Sequence, residues 1–192
     1  MAVETTERVE QGQEQSRRFK GAVEWVLIIV AALLAAFLIK TFLVQAFYIP
    51  SESMLPTLEK SDRVLVNKLS FRLHDVHRGD IVVFERPPEE QGGDPAIKDL
   101  IKRVVGLPGE IISNDESGRV LINGRVLDED YLPAGTLTTG ITEQTIPDDH
   151  YWVMGDNRSN SKDSRVFQAI DEDLIVGLAF VRVWPPSSLD FI

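Results

Sequence analysis

GAVEWVLIIVAALLAAFLIKTFLVQAFYI (residues 21–49) runs without a break into PSESMLPTL (50–58). The first stretch is mostly apolar, and Val26–Ile39 contains no polar residue. Extended from Ala22 to Val44, at about 1.5 Å per helical residue, it covers the ~30 Å of a bilayer's hydrocarbon, with Glu24 and Lys40 near its two ends. It is too long for the apolar core of a cleaved leader, and its Ala-Ala pairs lie inside the run rather than after it. The expectation is one transmembrane helix over 22–44. Arg17, Arg18 and Lys20 flank its start, and no comparable basic cluster follows its end. The positive-inside bias therefore places the polar tail, 1–21, in the cytoplasm and residues 45–192 outside the membrane.

The chain has 192 residues, a net charge of -10 and no cysteine. Disulfides and thiolate nucleophiles are excluded. The first twenty residues are balanced in charge, so the negative surplus lies downstream, in a domain that would repel nucleic acid phosphates. A nucleic acid partner is not expected. The histidines are His74, His77 and His150, with no HExxH pattern and no second ligand cluster, so no metal is expected.

Beyond the apolar segment, short runs rich in Val, Ile, Phe, Tyr and Trp recur at 63–69, 80–85, 100–106, 119–124, 151–156 and 175–184. Such residues suit pleated, half-buried surfaces. Turn signals separate them, and Asn123-Gly124 predicts a tight hairpin between 120–122 and 125–127. No long helical stripe follows residue 44, although SNSKDSRVFQAI has room for a helical turn. The fold class is mainly β, an antiparallel sheet domain behind a single N-terminal helix. RPPEEQGGDPAIKD (86–99) is rich in proline, glycine and acid and is expected to be a mobile loop.

Three stretches carry possible chemistry. Pro50 and Pro56 restrict the backbone around Ser51 and Ser53, which lie two residues apart. One hydroxyl could attack a carbonyl while the other donates to the oxyanion, or the stretch could be a rigid exit linker. A lysine can serve as the base for such a serine if burial keeps its amine neutral. Lys102, in DLIKRVVGLPGE, has that apolar setting, and Lys68, in VLVNKLS, competes with it. A histidine base, His150 in PDDHYW, stays open on counting alone. The third stretch, GDNRSNSKDSR (155–165), is either a polar surface loop or a hydrogen-bonded scaffold in which Asp163 pairs with Arg165 and Ser161 or Ser164 holds an amine.

Taken together and in order, SESMLPTL (51–58), RVLVNK (63–68), GDIVVF (79–84), KRVVGLPGE (102–110) and GDNRSNSKDSR (155–165) closely resemble the bacterial type I signal peptidases, membrane-bound Ser–Lys endopeptidases. The resemblance implies a signal-peptidase-type antiparallel β catalytic domain. It implies Ser53 as nucleophile, Lys102 as general base and Ser51 as side-chain oxyanion donor. It gives Ser161 as the hydroxyl that orients the lysine, and Asp163 with Arg165 as a supporting ion pair. Met54 and Pro56 would shape the nucleophile turn, and Gly155, Asp156, Asn157 and Arg158 would be mainly structural. It further implies no cofactor, signal peptides of exported precursors as substrates, lipid as surroundings, and action as a monomer at the outer face of the cell membrane. Two positions depart from the family pattern: Ser61 and Gln168 stand where glycine is usual. The competing readings are a Ser–Lys self-cleaving repressor, which the apolar anchor and the missing DNA-binding helices oppose, and a non-catalytic membrane-tethered β binding module.

Overall fold

A computed structural model describes residues 24–37 and 43–192, except 91–93 and 95. The chain divides into two units, Met1–Leu43 and Val44–Ile192. In the first, residues 24–37 form helix α1, with Trp25, Leu27, Ile28, Leu33 and Phe37 among its exposed apolar side chains. Among the described residues no helix is long and apolar enough to cross a membrane. Residues 1–21, and 22–23 and 38–42 of the expected span, lie outside the described set. Val44, allotted to that span from its apolarity, instead opens a strand.

The second unit is built from β1 (Val44–Tyr48), β2 (Arg63–Asn67), β3 (Ile81–Glu85), β4 (Asp99–Gly106), β5 (Ile111–Asn114), β6 (Val120–Ile122), β7 (Arg125–Val126), β8 (Gln144–Thr145), β9 (His150–Met154), β10 (Ile170–Asp171), β11 (Ile175–Trp184) and β12 (Asp190–Phe191). Two one-turn helices, α2 (Ser70–Leu73) and α3 (Ser164–Phe167), interrupt them. The larger sheet runs β1-β2-β11-β3-β4-β9-β10, with β12 also on β11, and the smaller runs β7-β6-β5-β8. Every pairing is antiparallel.

The patterns explain the layering. In β2, Val64 and Val66 alternate inward and join Ile49, Met54, Leu58, Ile81, Val83 and Ile101 in one core cluster. Strand β3 is buried on both faces, more than the half-buried surface expected of such runs, and feeds two clusters: Val83 meets the first, while Val82 and Phe84 meet Val104, Val153 and Phe167. Trp152, Met154, Ile112, Val120 and Ile146 form the third, under the smaller sheet. The expected hairpin is present: β6 pairs with β7 through Asn123 and Gly124, both at positive φ as a type I′ turn requires. The described part of 86–99 is tied down by Arg86, whose N–H donates to Lys98 O and whose guanidinium donates to Asp94 O at 2.9 Å.

One feature of the pairing positions the site. Strand β3 pairs with β4 from Asp99 to Arg103, whereas β9 pairs with it only from Arg103 to Gly106. Among the described residues, the second edge of Asp99–Lys102 is left without a strand. Strand β1 also ends its sheet, so two strand edges border one cleft.

Candidate active site

Residues 51–57 form a compact turn directly after β1, closed by Leu58 N–H to Met54 O and anchored by fully buried Met54. Ser51 and Ser53 do not lie on a strand; the turn itself brings their Oγ atoms to 3.3 Å. Pro56 is exposed on the outside of the turn, where it supports the bend without lining the cleft. The turn is tied to the scaffold from the GDNR stretch: Asn157 N–H donates to Ser53 O at 3.0 Å, and Asn157 Nδ2 to Glu52 O at 3.1 Å. A Cβ on Gly155 would come within 2.4 Å of Ser53 O and 2.3 Å of Ser161 Oγ, so only glycine fits there.

Lys102 reaches the turn from β4. Its Nζ is hydrogen-bonded to Ser53 Oγ at 2.7 Å and to Ile101 O at 2.9 Å, and the residue is 4% exposed. Burial lowers the ammonium's pKa from 10.5 to about 8, against the opposing pull of Asp163, Asp156 and Glu90. A neutral amine at that distance can accept the serine proton.

The rival bases are not brought to the serine. Lys68 Nζ lies 3.4 Å from Gln45 Oε1, and neither it nor any of the three histidines lines the cleft. Asp163 and Arg165 pair at 2.8 Å. The carboxylate is fully buried, caps α3 and also accepts from Gly155 N–H at 3.1 Å. Ser161, expected on the lysine, is packed against Gly155 with its Oγ buried and hydrogen-bonded to nothing; Ile101 O holds the amine instead. Among the described residues no group of His, Asp and Glu is arranged to hold a metal ion.

The cleft has a volume of roughly 270 Å³ and is lined by Phe47–Ser53, by Ile97 and Asp99–Lys102, and by Val83, Arg86 and Glu90. Arg86 Nε lies 3.1 Å from Glu90 Oε2, close enough for an ion pair though not aligned for a hydrogen bond. The sequence had given no signal for Glu90, because its burial depends on how residues 86–90 fold back.

Residues 22–184 match the family described as "Signal peptidase, peptidase S26". The chain belongs to this family. It is 42% identical to the signal peptidase I of Leptolyngbya laminosa over 87% of this chain and 82% of that protein. It is 34% identical to the signal peptidase IB of Staphylococcus aureus strain MRSA252 over 90% and 94%. Among solved structures, a signal peptidase I of Enterococcus faecalis V583 is 29% identical, with a TM-score of 0.43, covering 55% of this chain and 97% of that one. As an S26 signal peptidase the chain is a serine endopeptidase, and the repressor and binding-module readings lapse.

Proposed function

We propose that the protein removes signal peptides from exported precursors, with Ser53 as nucleophile and Lys102 as general base. The observation that carries this reading is the 2.7 Å contact between a buried amine and a hydroxyl on the wall of a cleft. Neutral Lys102 takes the Ser53 proton as Oγ bonds to the scissile carbonyl carbon. Ser51 Oγ and the backbone N–H of Ser53 hold the oxyanion; one such donor contributes roughly 3–4 kcal/mol to transition-state stabilisation. The C–N bond breaks, and the lysine proton goes to the leaving amine. Lys102 then deprotonates a water, which attacks the ester and restores Ser53. Asp163 and Arg165 brace the GDNR stretch against the nucleophile turn, and Met54 and Pro56 shape that turn. Ser161, whose Oγ has no hydrogen-bond partner, is the hydroxyl that the resemblance gives for orienting the lysine.

The substrate enters as an extended strand between the open edges of β4 and β1, with backbone hydrogen bonds giving affinity and shallow pockets giving selectivity for small side chains at the first and third residues before the cut. The apolar segment that precedes β1 anchors the chain in the cell membrane, with its tail cytoplasmic and the catalytic domain outside. Ser53 follows within nine residues of Val44, so the cleft sits near the leaflet from which precursors emerge. One copy holds the whole site, and no cofactor takes part.

The test is cleavage of a detergent-solubilised precursor by purified full-length protein. Wild type cuts at the signal boundary, while Ser53→Ala and Lys102→Ala are inactive with unchanged circular dichroism. Persistent cutting by Ser53→Ala, purified free of host peptidase, removes Ser53 from the role.

A further inference from the structure

We propose that Thr57 is a positioning residue that sets the distance between Ser53 and Lys102, through a carboxylate shared by the two elements that carry them. This rests on the Ser–Lys reading above. The nucleophile belongs to a turn and the base to β4, 49 positions later in the chain. A dyad assembled from separate elements needs a joint between them, because an error of about 1 Å in such a contact can cost on the order of 10²-fold in rate.

Asp156 supplies that joint. From β4, Arg103, the residue after Lys102, donates through Nε to Asp156 Oδ1 at 2.9 Å and through a terminal nitrogen to Oδ2 at 2.7 Å. From the nucleophile turn, Thr57 Oγ1 donates to the same Oδ2 at 2.5 Å. The second terminal nitrogen of Arg103 is held by Gly79 O at 2.9 Å, and its guanidinium lies 4.1 Å over the Tyr131 ring, so the arginine has little freedom. Arg103 and Asp156 are both buried, which strengthens the clasp relative to a surface pair.

Thr57 is the member of this clasp that belongs to the turn. Its backbone is fixed as well: Arg182 donates to Thr57 O at 3.3 Å and reaches Asp62 at 3.4 Å. The front of the turn is held by Asn157 at Glu52 O and Ser53 O. Asn157 follows Asp156 directly, so one short segment grips both ends of the turn and, through Arg103, the strand of the base. Loss of the Thr57 hydroxyl removes the turn's side-chain bond to the carboxylate that also holds Arg103, leaving Asn157 and Arg182 to hold its backbone, and the Ser53–Lys102 contact loses its set length without any change to the cleft wall.

The experiment compares wild type, Thr57→Val and Thr57→Ser as full-length proteins in detergent, using a fluorogenic peptide that spans a signal-peptide boundary. In T57V kcat is expected to fall by about ten- to a hundredfold, with KM within about twofold of wild type. The acid limb of the kcat profile should move, because the amine has lost its fixed partner. T57S restores kcat and the limb. Should T57V not fold, Thr57→Cys, with serine's shape and a weaker donor, carries the same comparison against T57S. A kcat per folded molecule within twofold of wild type, or a loss that tracks only the folded fraction with an unmoved limb, overturns the proposal. Failure of wild type to cut the peptide overturns the peptidase reading instead.

Discussion

At the scale of the single residue, the site turns on one proton. Lys102 is held at a pKa of about 8 because desolvation of its amine outweighs three carboxylates that favour the cation. A general base works best with a pKa near the working pH, so this offset makes lysine usable. On the proposed Ser–Lys mechanism, the amine is protonated below pH 8 and cannot take the Ser53 proton, and above it the base is ready. We therefore expect log kcat/KM for peptide cleavage to rise by about one per pH unit up to about pH 8 and then to level. A limb well below pH 8, or a flat profile, would remove Lys102 as base. The opposing carboxylates are not idle: Asp163 caps α3 and binds Gly155, and Asp156 binds Arg103 and Thr57. Their placement serves the scaffold, and their charge limits how far the amine's pKa can drop.

At the scale of the element, the two departures from the family's glycines fall on two of the described non-glycine residues at positive φ. Ser61 has φ 80 in the loop before β2, and Gln168, which ends α3, has φ 70 and ψ −173. That second combination is almost confined to glycine and costs other residues roughly 1–3 kcal/mol. The α3 turn accepts it because Gln168 N–H closes onto Ser164 O and the next residues must enter β10. Gln168→Gly is expected to raise Tm by a few degrees, at about 2–4 °C per kcal/mol for a chain of this size. Gln168→Ala, strained in the same way, should not. Equal Tm values for the glycine and alanine variants would show that no strain is released there. These residues also mark what a sequence discloses about elements. The runs in β2, β3, β4, β9 and β11 and the Asn123-Gly124 hairpin were legible because apolar patterning and turn chemistry are local. Strand β1 was not, since VQAFY continues an apolar segment and becomes a strand only by pairing with β2. Strands β8, β10 and β12 are two residues long and exist through their partners alone.

At the scale of the whole molecule, the domain accepts instability to build its site. Residue patterns alone left Lys68 and Lys102 in competition, and only the resemblance chose between them. The deciding quantity is tertiary burial, which β4 acquires from β3 and from the nucleophile turn. Thr57 and Glu90 escaped notice for the same reason, since nothing in their neighbourhoods announces what they meet across the fold. That burial has a thermodynamic consequence. An unfolded lysine titrates near 10.5 and the folded one at about 8. Below pH 8 both states hold the proton, and the cost of burying the cation, about 3 kcal/mol at roughly 1.4 kcal/mol per pKa unit, is fully present. Between pH 8 and 10.5 the folded state has released its proton while the unfolded state keeps it, so stability rises with pH across that window. Lys102→Met keeps the volume and removes the charge, while leaving Ile101 O without its donor, at about 1 kcal/mol. We expect K102M to be inactive and more stable than wild type at pH 7 by on the order of 2 kcal/mol. Its Tm should be several degrees higher in detergent scanning calorimetry, and the advantage should shrink steadily as the pH is raised from 8 to 10.5. An advantage that does not change with pH would mean that packing, not the buried cation, is what the methionine improves. A K102M protein less stable than wild type at pH 7 would mean that the amine's contacts with Ser53 and Ile101 outweigh its desolvation, and that the low pKa of the base is not a strain on the fold.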